Sequence, residues 1–414
     1  MPESSQTRLS RLKSAVIPQE GAIRILSLAT LINTFGNGLF VTIEVIYFTF
    51  HVGLAPAQVA LGLSIGGGIS LLFGVPAGHI ADRFGPRDIT VFAYISEGLV
   101  LITFIFVHSF WPFVFVSLLA GITGAVSGAL RMATIAQFGV GEERVRVRAF
   151  TRAVTNLGIG LGTVFAGIAL AVNTNAGYVT MLILDALTYF AAGYVWHKLP
   201  YVAPTVARGE PVTFNAFRDR KFLAATAING IMSLHFILQN VAIPLWVVQE
   251  TSAPRWWVAV IMLVNTIAVI LFQVRASRGA GDINIGARLY ARSGALVAVS
   301  CLIYALSAGV SKYLACALLI LAMLVHVAGE LLGSVGSWSI GFGLADQNHQ
   351  GQYQAVYSLG PGFGGAFGPS IVTALVIGLG KPGWVVLAII FFFTSLAMRR
   401  LVTGSWSKTN NETH

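Results

Sequence analysis

Charge is what this sequence has least of. Asp, Glu, Lys and Arg make up 10% of its 414 residues, where a soluble domain carries about 25%. So few charges cannot cover the surface of a soluble protein of this length, which excludes a water-soluble enzyme. Cysteine is almost missing as well. Cys301 and Cys316 are the two present, and they lie in apolar runs at different depths. They read as buried thiols, so a disulfide scaffold is excluded. There is no His, Cys, Asp or Glu cluster at metal-ligand spacing, no Gly-x-x-x-x-Gly-Lys loop and no nucleophile elbow. Neither a metal nor another cofactor is therefore expected, and no enzymatic activity. ATP-driven pumping is unsupported, which leaves an ion gradient as the energy source. The ten-residue alternating strands of a membrane barrel are also lacking.

What is present is apolar residue, 56% of the chain, which excludes disorder. A membrane helix needs about 20 predominantly apolar residues. Twelve runs qualify: 23–50, 58–80, 89–107, 110–137, 150–172, 177–197, 222–248, 256–275, 290–310, 313–343, 353–379 and 383–402. The predicted fold class is an all-α polytopic membrane protein. Links such as Asn173 to Ala176 and Ser311 to Lys312 are so short that successive spans must be antiparallel. The longest connection, 198–221, is polar and holds Pro200, Pro204 and Pro211. It divides the chain into a tail (1–22), a six-helix bundle (23–197), a linker (198–221), a second six-helix bundle (222–402) and a tail (403–414). Residues 1–22 lack the apolar core and small-residue site of a cleavable signal, so a retained tail is expected. Within it, residues 8–17 have the composition of a short basic surface helix or a solvated tail.

The 26 basic residues exceed the 16 acidic ones. With the N-terminus on the cytoplasmic side, 23 of them fall on that side and 3 (Arg255, Lys312 and Lys381) on the other. That is the positive-inside pattern. A multi-pass protein of the cytoplasmic (inner) membrane is expected, with both termini cytoplasmic. The basic balance reports topology, and no nucleic-acid partner is implied.

The two halves repeat. Ala153-Val154-x-x-Leu157-Gly158-x-Gly160-x-Gly162 in span 5 recurs as Ala355-Val356-x-x-Leu359-Gly360-x-Gly362-x-Gly364 in span 11, an offset of 202 residues. The same offset carries Gly139 and Gly141 onto Gly341 and Gly343. A nearby offset of 196 carries Asn33, Phe40 and Val45 onto Asn229, Phe236 and Val241. Duplicated helical halves are a signature of secondary transporters, whose site lies near the midplane at the repeat interface.

After span 2 stands Gly78-His79-Ile80-Ala81-Asp82-Arg83-Phe84-Gly85-Pro86-Arg87. Gly85-Pro86 forces a bend, Gly78 permits close helix approach, and Asp82, Arg83 and Arg87 put opposite charges at a membrane boundary. This pattern, Gly-x-x-x-Asp-Arg-x-Gly-x-Arg, resembles the hallmark loop of the major facilitator superfamily. The resemblance covers the whole chain: twelve spans, a central linker and related halves. It implies a major facilitator fold of two pseudo-symmetric bundles that work by alternating access. It further implies that the loop latches the cytoplasmic side, with Asp82 pairing to nearby basic groups and the start of span 11. The counterpart in the second half, Arg275 to Asp282, keeps Arg278 and Asp282 but not the spacing. Ala149 to Gly167 and Asp185-Ala186-Leu187-Thr188-Tyr189 look like bacterial efflux-type members, the macrolide- or siderophore-exporter relatives. Two departures stand out. Thr163 follows Gly162 where the family's antiporter motif usually has a proline, although span 11 carries Pro361. The middle of span 4 shows Ser117 where many drug–proton antiporters have an arginine, and Arg131 lies at the inner end. Gly158, Gly162, Gly360, Pro361 and Gly364 are read as hinge or packing residues.

A charge in mid-span costs about 2.5–3.5 kcal/mol on insertion scales, so each needs a reason. The family architecture implies that spans 1, 4, 7 and 10 line the cavity. His326 and Glu330 in span 10 are four apart, hence on one face. Glu330 is read as the carrier of a proton or another cation, with His326 as its partner and Glu44 of span 1 as a further candidate. Asn33, Asn37, His235, Gln239 and Asn240 are read as cavity contacts, and Trp338 as a residue that either stacks on a ligand or packs. Glu97, Asp185 and Arg131 are read as structural charges, for which the sequence names no partner. The other tryptophans, near span ends, read as an aromatic belt.

The combined expectation is a monomeric secondary transporter in a lipid bilayer, exporting small amphipathic or drug-like molecules against protons. The alternatives are a proton-coupled importer of a metabolite and a receptor-like membrane protein without turnover.

Overall fold

The computed structural model describes residues 21–137, 141–201, 204 and 215–409, and every regular element among them is helical. The first twenty residues, Gly139, the linker stretch 205–214 with Pro211, the side chains of Trp406 and Lys408, and the last five residues lie outside the described residues. Twelve long helices follow one another. They are α1 (Gly21–Ile46), α2 (Pro56–Phe84), α3 (Pro86–Thr103), α4 (Phe110–Gln137), α5 (Glu142–Val172) and α6 (Asn175–His197). Then come α7 (Arg220–Ile237), α8 (Trp257–Ala276), α9 (Ile283–Leu306), α10 (Lys312–Leu344), α11 (Gln350–Thr373) and α12 (Lys381–Thr409). Eleven candidate spans, covering all but α5, are long and apolar enough to cross a membrane. Helix α5 opens on a run of Glu and Arg and becomes free of charge from Ala153 to Val172, which supplies the twelfth run. With no water to satisfy backbone groups in lipid, the continuous helix is the conformation these runs can adopt.

The turns follow local chemistry. Gly85 has φ of +83°, a left-handed conformation that a side chain disfavours, and Pro86 then opens α3 at the position where its missing N–H costs nothing. Asn173 has φ of +47° between α5 and α6, which Asn tolerates better than most residues. Thr174 then caps α6 by accepting the Gly177 N–H at 3.2 Å.

The chain forms two compact units. The first holds the chain up to Phe73, then Phe84–Thr134 and Phe150–Pro204; in it α6 packs against α1 and α3. The second holds Gly74–Arg83, Ile135–Ala149 and the chain from Thr205 onward. In it α9 packs against α10 and α12, α7 against α11, and α8 against α10.

The repeated glycine run does the same job in each unit. In the first, a Cβ on Gly158 or Gly162 would run into α1, at Thr34 and the Phe35 carbonyl. In the second, a Cβ on Gly360 would run into the Thr226 carbonyl and one on Gly364 would meet Ser233 Oγ, both on α7. Small residues let two backbones touch, and packing of this kind drives helix association in lipid. Gly360→Ala is expected to destabilise the protein by about 1–3 kcal/mol through overpacking against backbone that cannot swing aside. A lowered midpoint of thermal unfolding checks this. Gly365→Ala, at a glycine with open space around it, is the matched control.

The tryptophans divide into two sets. Trp111 and Trp256 are exposed near helix ends, as a belt requires. Trp196, Trp246 and Trp384 are instead fully buried, which corrects the belt assignment for those three. Trp196 packs edge-on against Tyr94 in the first unit, and the other two pair within the second. Trp246 Nε1 donates to the Tyr304 carbonyl at 3.0 Å, and the rings of Trp246 and Tyr304 both pack on Trp384.

Candidate functional site

Helix α7 is not regular along its whole length. A wide π turn, Leu238–Ala242, follows Ile237, and the helix resumes as Ile243–Glu250. An inserted turn of this kind shifts the register and turns a side chain toward a place a regular helix would not reach. Gln239 sits in that turn, buried, and its Nε2 donates to Glu330 Oε2 at 2.5 Å. Asn265 of α8 donates to the same oxygen at 2.8 Å. Glu330 itself is buried on α10. One turn away, His326 is fully buried and its Nε2 lies 3.4 Å from His235 Nδ1 on α7. Four helical segments thus converge a carboxylate, two amides and two imidazoles inside the second unit. An ionised carboxylate in lipid is tolerated when donors surround it, and the same oxygen can take a proton while the amides turn to other acceptors.

A second constellation lies where the basic residues gather. Asp82, at the end of α2, is fully buried. Its Oδ1 accepts the Gly351 N–H and its Oδ2 the Gln352 N–H, each at 2.8 Å. Both amides belong to the first turn of α11, where backbone N–H groups have no partner inside the helix and the dipole favours an anion. Gly78 makes this possible, because a Cβ there would collide with the Gly351 carbonyl. Arg87 donates to the His197 carbonyl and lies 3.6 Å from Asp88. Glu142, opening α5, accepts the Gly279 N–H at 2.7 Å in the loop between α8 and α9. Asp282 of that loop caps α9 through the N–H groups of Asn284 and Ile285. Arg148 stands over the ring of Trp338, and Arg144 over Phe342, each at 5.6 Å from the ring centre.

The comparison with known sequences then decides the family: residues 26–369 match the Major Facilitator Superfamily. The chain belongs to the Major Facilitator Superfamily. It is a multi-pass membrane transporter and not an enzyme. The tetracycline resistance protein, class C, of Escherichia coli is 24% identical over 351 residues, covering 81% of this chain and 84% of that protein. The multidrug resistance protein MdtH of Shigella boydii serotype 4 (strain Sb227) is 25% identical over 377 residues, covering 87% of this chain and 90% of that one. Among solved structures, a bacterial homologue of the iron transporter ferroportin in an outward-facing state aligns with a TM-score of 0.74 at 11% identity, covering 94% of this chain and all of that one. At that identity the likeness concerns the fold alone. The bacterial efflux-type resemblance carried by Ala149 to Gly167 and by Asp185 to Tyr189 therefore agrees with the sequence relatives.

Asn33 and Asn37 line α1 in the first unit, where Arg131 donates to Asn33 Oδ1 at 3.3 Å and Tyr189 donates to Asn37 Oδ1 at 3.0 Å. Glu44, two turns further along α1, is buried. Asn240 is exposed and its amide donates back to the Phe236 carbonyl of its own helix. Trp338 packs on the apolar cluster of Ala136, Val145, Ala280, Val335 and Phe342 under Arg148. Asn265 escaped sequence reasoning because it is an uncharged polar residue in a largely apolar span. An amide side chain in the middle of such a run is the signal that could have flagged it.

Proposed function

We propose that this transporter is a proton-coupled exporter of small amphipathic or drug-like compounds, working by alternating access in the inner membrane with both termini cytoplasmic. The observation that carries the proposal is Glu330. It is a buried carboxylate held by Gln239 at the π turn of α7 and by Asn265, one helical turn from the imidazole pair His326–His235. A group so placed can exchange its charge for a proton, and protonation reorders the hydrogen bonds among α7, α8 and α10. That supplies the differential interaction which any gradient-driven shift between two conformations needs. The resistance proteins among its relatives support export of drug-like molecules. Asp82 at the first turn of α11 is assigned the role of a latch on the basic face, since its two bonds must break for α2 and α11 to part.

The test is flux. Purified protein in proteoliposomes, loaded with tetracycline or ethidium as probes, is given an imposed pH gradient. The proposal expects probe movement opposite to the proton gradient, abolished by a protonophore. Movement that ignores the gradient would overturn the coupling. Movement with the proton would favour import.

A further inference from the structure

The first unit holds a second buried polar cluster, with no part in the Glu330 site. Glu97 on α3 has Oε2 accepting Ser127 Oγ at 2.6 Å, and its other oxygen lies against Gly124, both on α4. Asp185 on α6 is buried to 1% exposure and wedged against Gly36 of α1, where a Cβ would collide with its Oδ1. Thr188, on the same helix, lies 3.5 Å from that Oδ1. Asp185 Oδ2 is buried and has no hydrogen-bond partner. The charged and titratable groups facing this pair come from every packed helix. They are Glu44 on α1, Tyr94 on α3, Arg131 on α4 and Tyr189 on α6. Asn33 and Asn37 join them to α1 through Arg131 and Tyr189.

Charge counting decides what the cluster needs. Glu97 and Asp185, with Glu44 as a third carboxylate facing them, share one low-dielectric interior with a single guanidinium, and such groups cannot all stay ionised at low cost. Arg131 compensates one. An ionised oxygen buried without a donor is costly, and taking up a proton removes its charge. Among the described residues, no three His, Cys, Asp or Glu side chains stand as a metal ion would need. We propose that Glu97 and Asp185 form a proton-binding pair in the first unit, balanced by Arg131 and separate from Glu330. The step moves one proton from water to a carboxylate oxygen, forming an O–H bond and leaving a neutral carboxyl. Arg131 is partly buried, whereas both carboxylates are buried. When the pair holds its proton, Arg131 answers to one carboxylate. When the proton leaves, it must answer to two, and its bond to Asn33 of α1 is the one at stake. The pair therefore couples a proton to the position of α1.

Difference infrared spectroscopy of the purified protein in lipid vesicles, titrated between mildly acid and mildly alkaline pH, tests this without any substrate. The wild-type protein is expected to show a deuterium-sensitive band of a buried protonated carboxyl that survives in Glu330→Gln. Asp185→Asn and Glu97→Gln should each remove or shift that band, and Arg131→Gln should add a second one. If Asp185→Asn does not fold, Glu97→Gln and Arg131→Gln give the same reading. A spectrum unchanged in those variants means a permanently ionised structural cluster and overturns the proposal. Loss of the sole band in Glu330→Gln also overturns it, while leaving the Glu330 reading intact.

Discussion

Glu330→Gln is expected to lose gradient-driven transport by a factor on the order of 100 or more, the range that removing a proton-transferring side chain typically costs. The substitution keeps shape and volume. Gln can still present a carbonyl oxygen where Glu330 Oε2 accepts Gln239 and Asn265, so the packing of α7, α8 and α10 has no reason to fail. What it removes is the charge and the ability to carry a proton. Stability should change by only about 1 kcal/mol, the difference between a charged and a neutral acceptor. The check is a pair of measurements on one preparation. Flux under an imposed pH gradient should vanish, while exchange of probe between equal compartments without a gradient should persist. Full pH-dependent flux in this variant would remove Glu330 from the coupling scheme. Loss of both activities with a normal unfolding midpoint would place it in substrate binding instead.

Asp82→Ala should have the second largest effect. The carboxylate closes two charge-assisted bonds to the first turn of α11. Each such bond contributes about 1.5–3 kcal/mol, and the helix N-terminus adds about 0.3–2 kcal/mol for a nearby anion. Burying the carboxylate offsets part of this, so a net loss of about 3 kcal/mol is expected. At 1.4 kcal/mol per factor of ten, amide hydrogen exchange at Gly351 and Gln352 should quicken by about 100-fold. Exchange mass spectrometry across Gln350–Gln354 reads this directly. Asp82→Asn, which keeps one acceptor without the charge, should fall between. Unchanged exchange in Asp82→Ala would show that α11 needs no help from α2 to hold its first turn.

The spans were legible because in lipid the determinant is local: an apolar run long enough to cross must close its backbone bonds within itself. The loop around Asp82 was legible too, since a turn at a helix end is specified by a few adjacent residues, with Gly85 in its left-handed conformation as the plainest case. The repeat was visible as glycine spacing, and its packing on α1 and α7 follows from the lack of a Cβ. Other features resisted. Glu97 and Asp185 had no named partner in the sequence, because Ser127 and Arg131 of α4 and Gly36 of α1 come from distant stretches of the chain. The buried tryptophans looked like belt residues because proximity to a span end says nothing about which side of the helix meets a neighbour.

The sequence by itself determined that this chain lives in lipid, as paired sets of helices with a basic face, in a family whose hallmark loop it carries. These properties depend on composition, period and adjacency, all of which are one-dimensional. Only the tertiary structure decided that Glu330 answers to Gln239 and Asn265 and that His326 meets His235. It alone supplied the Gly351 and Gln352 amides that Asp82 meets at the expected start of α11, and it left one oxygen of Asp185 without a donor. A hydrogen bond requires two atoms within about 3 Å, and which helices bring them there is settled by packing.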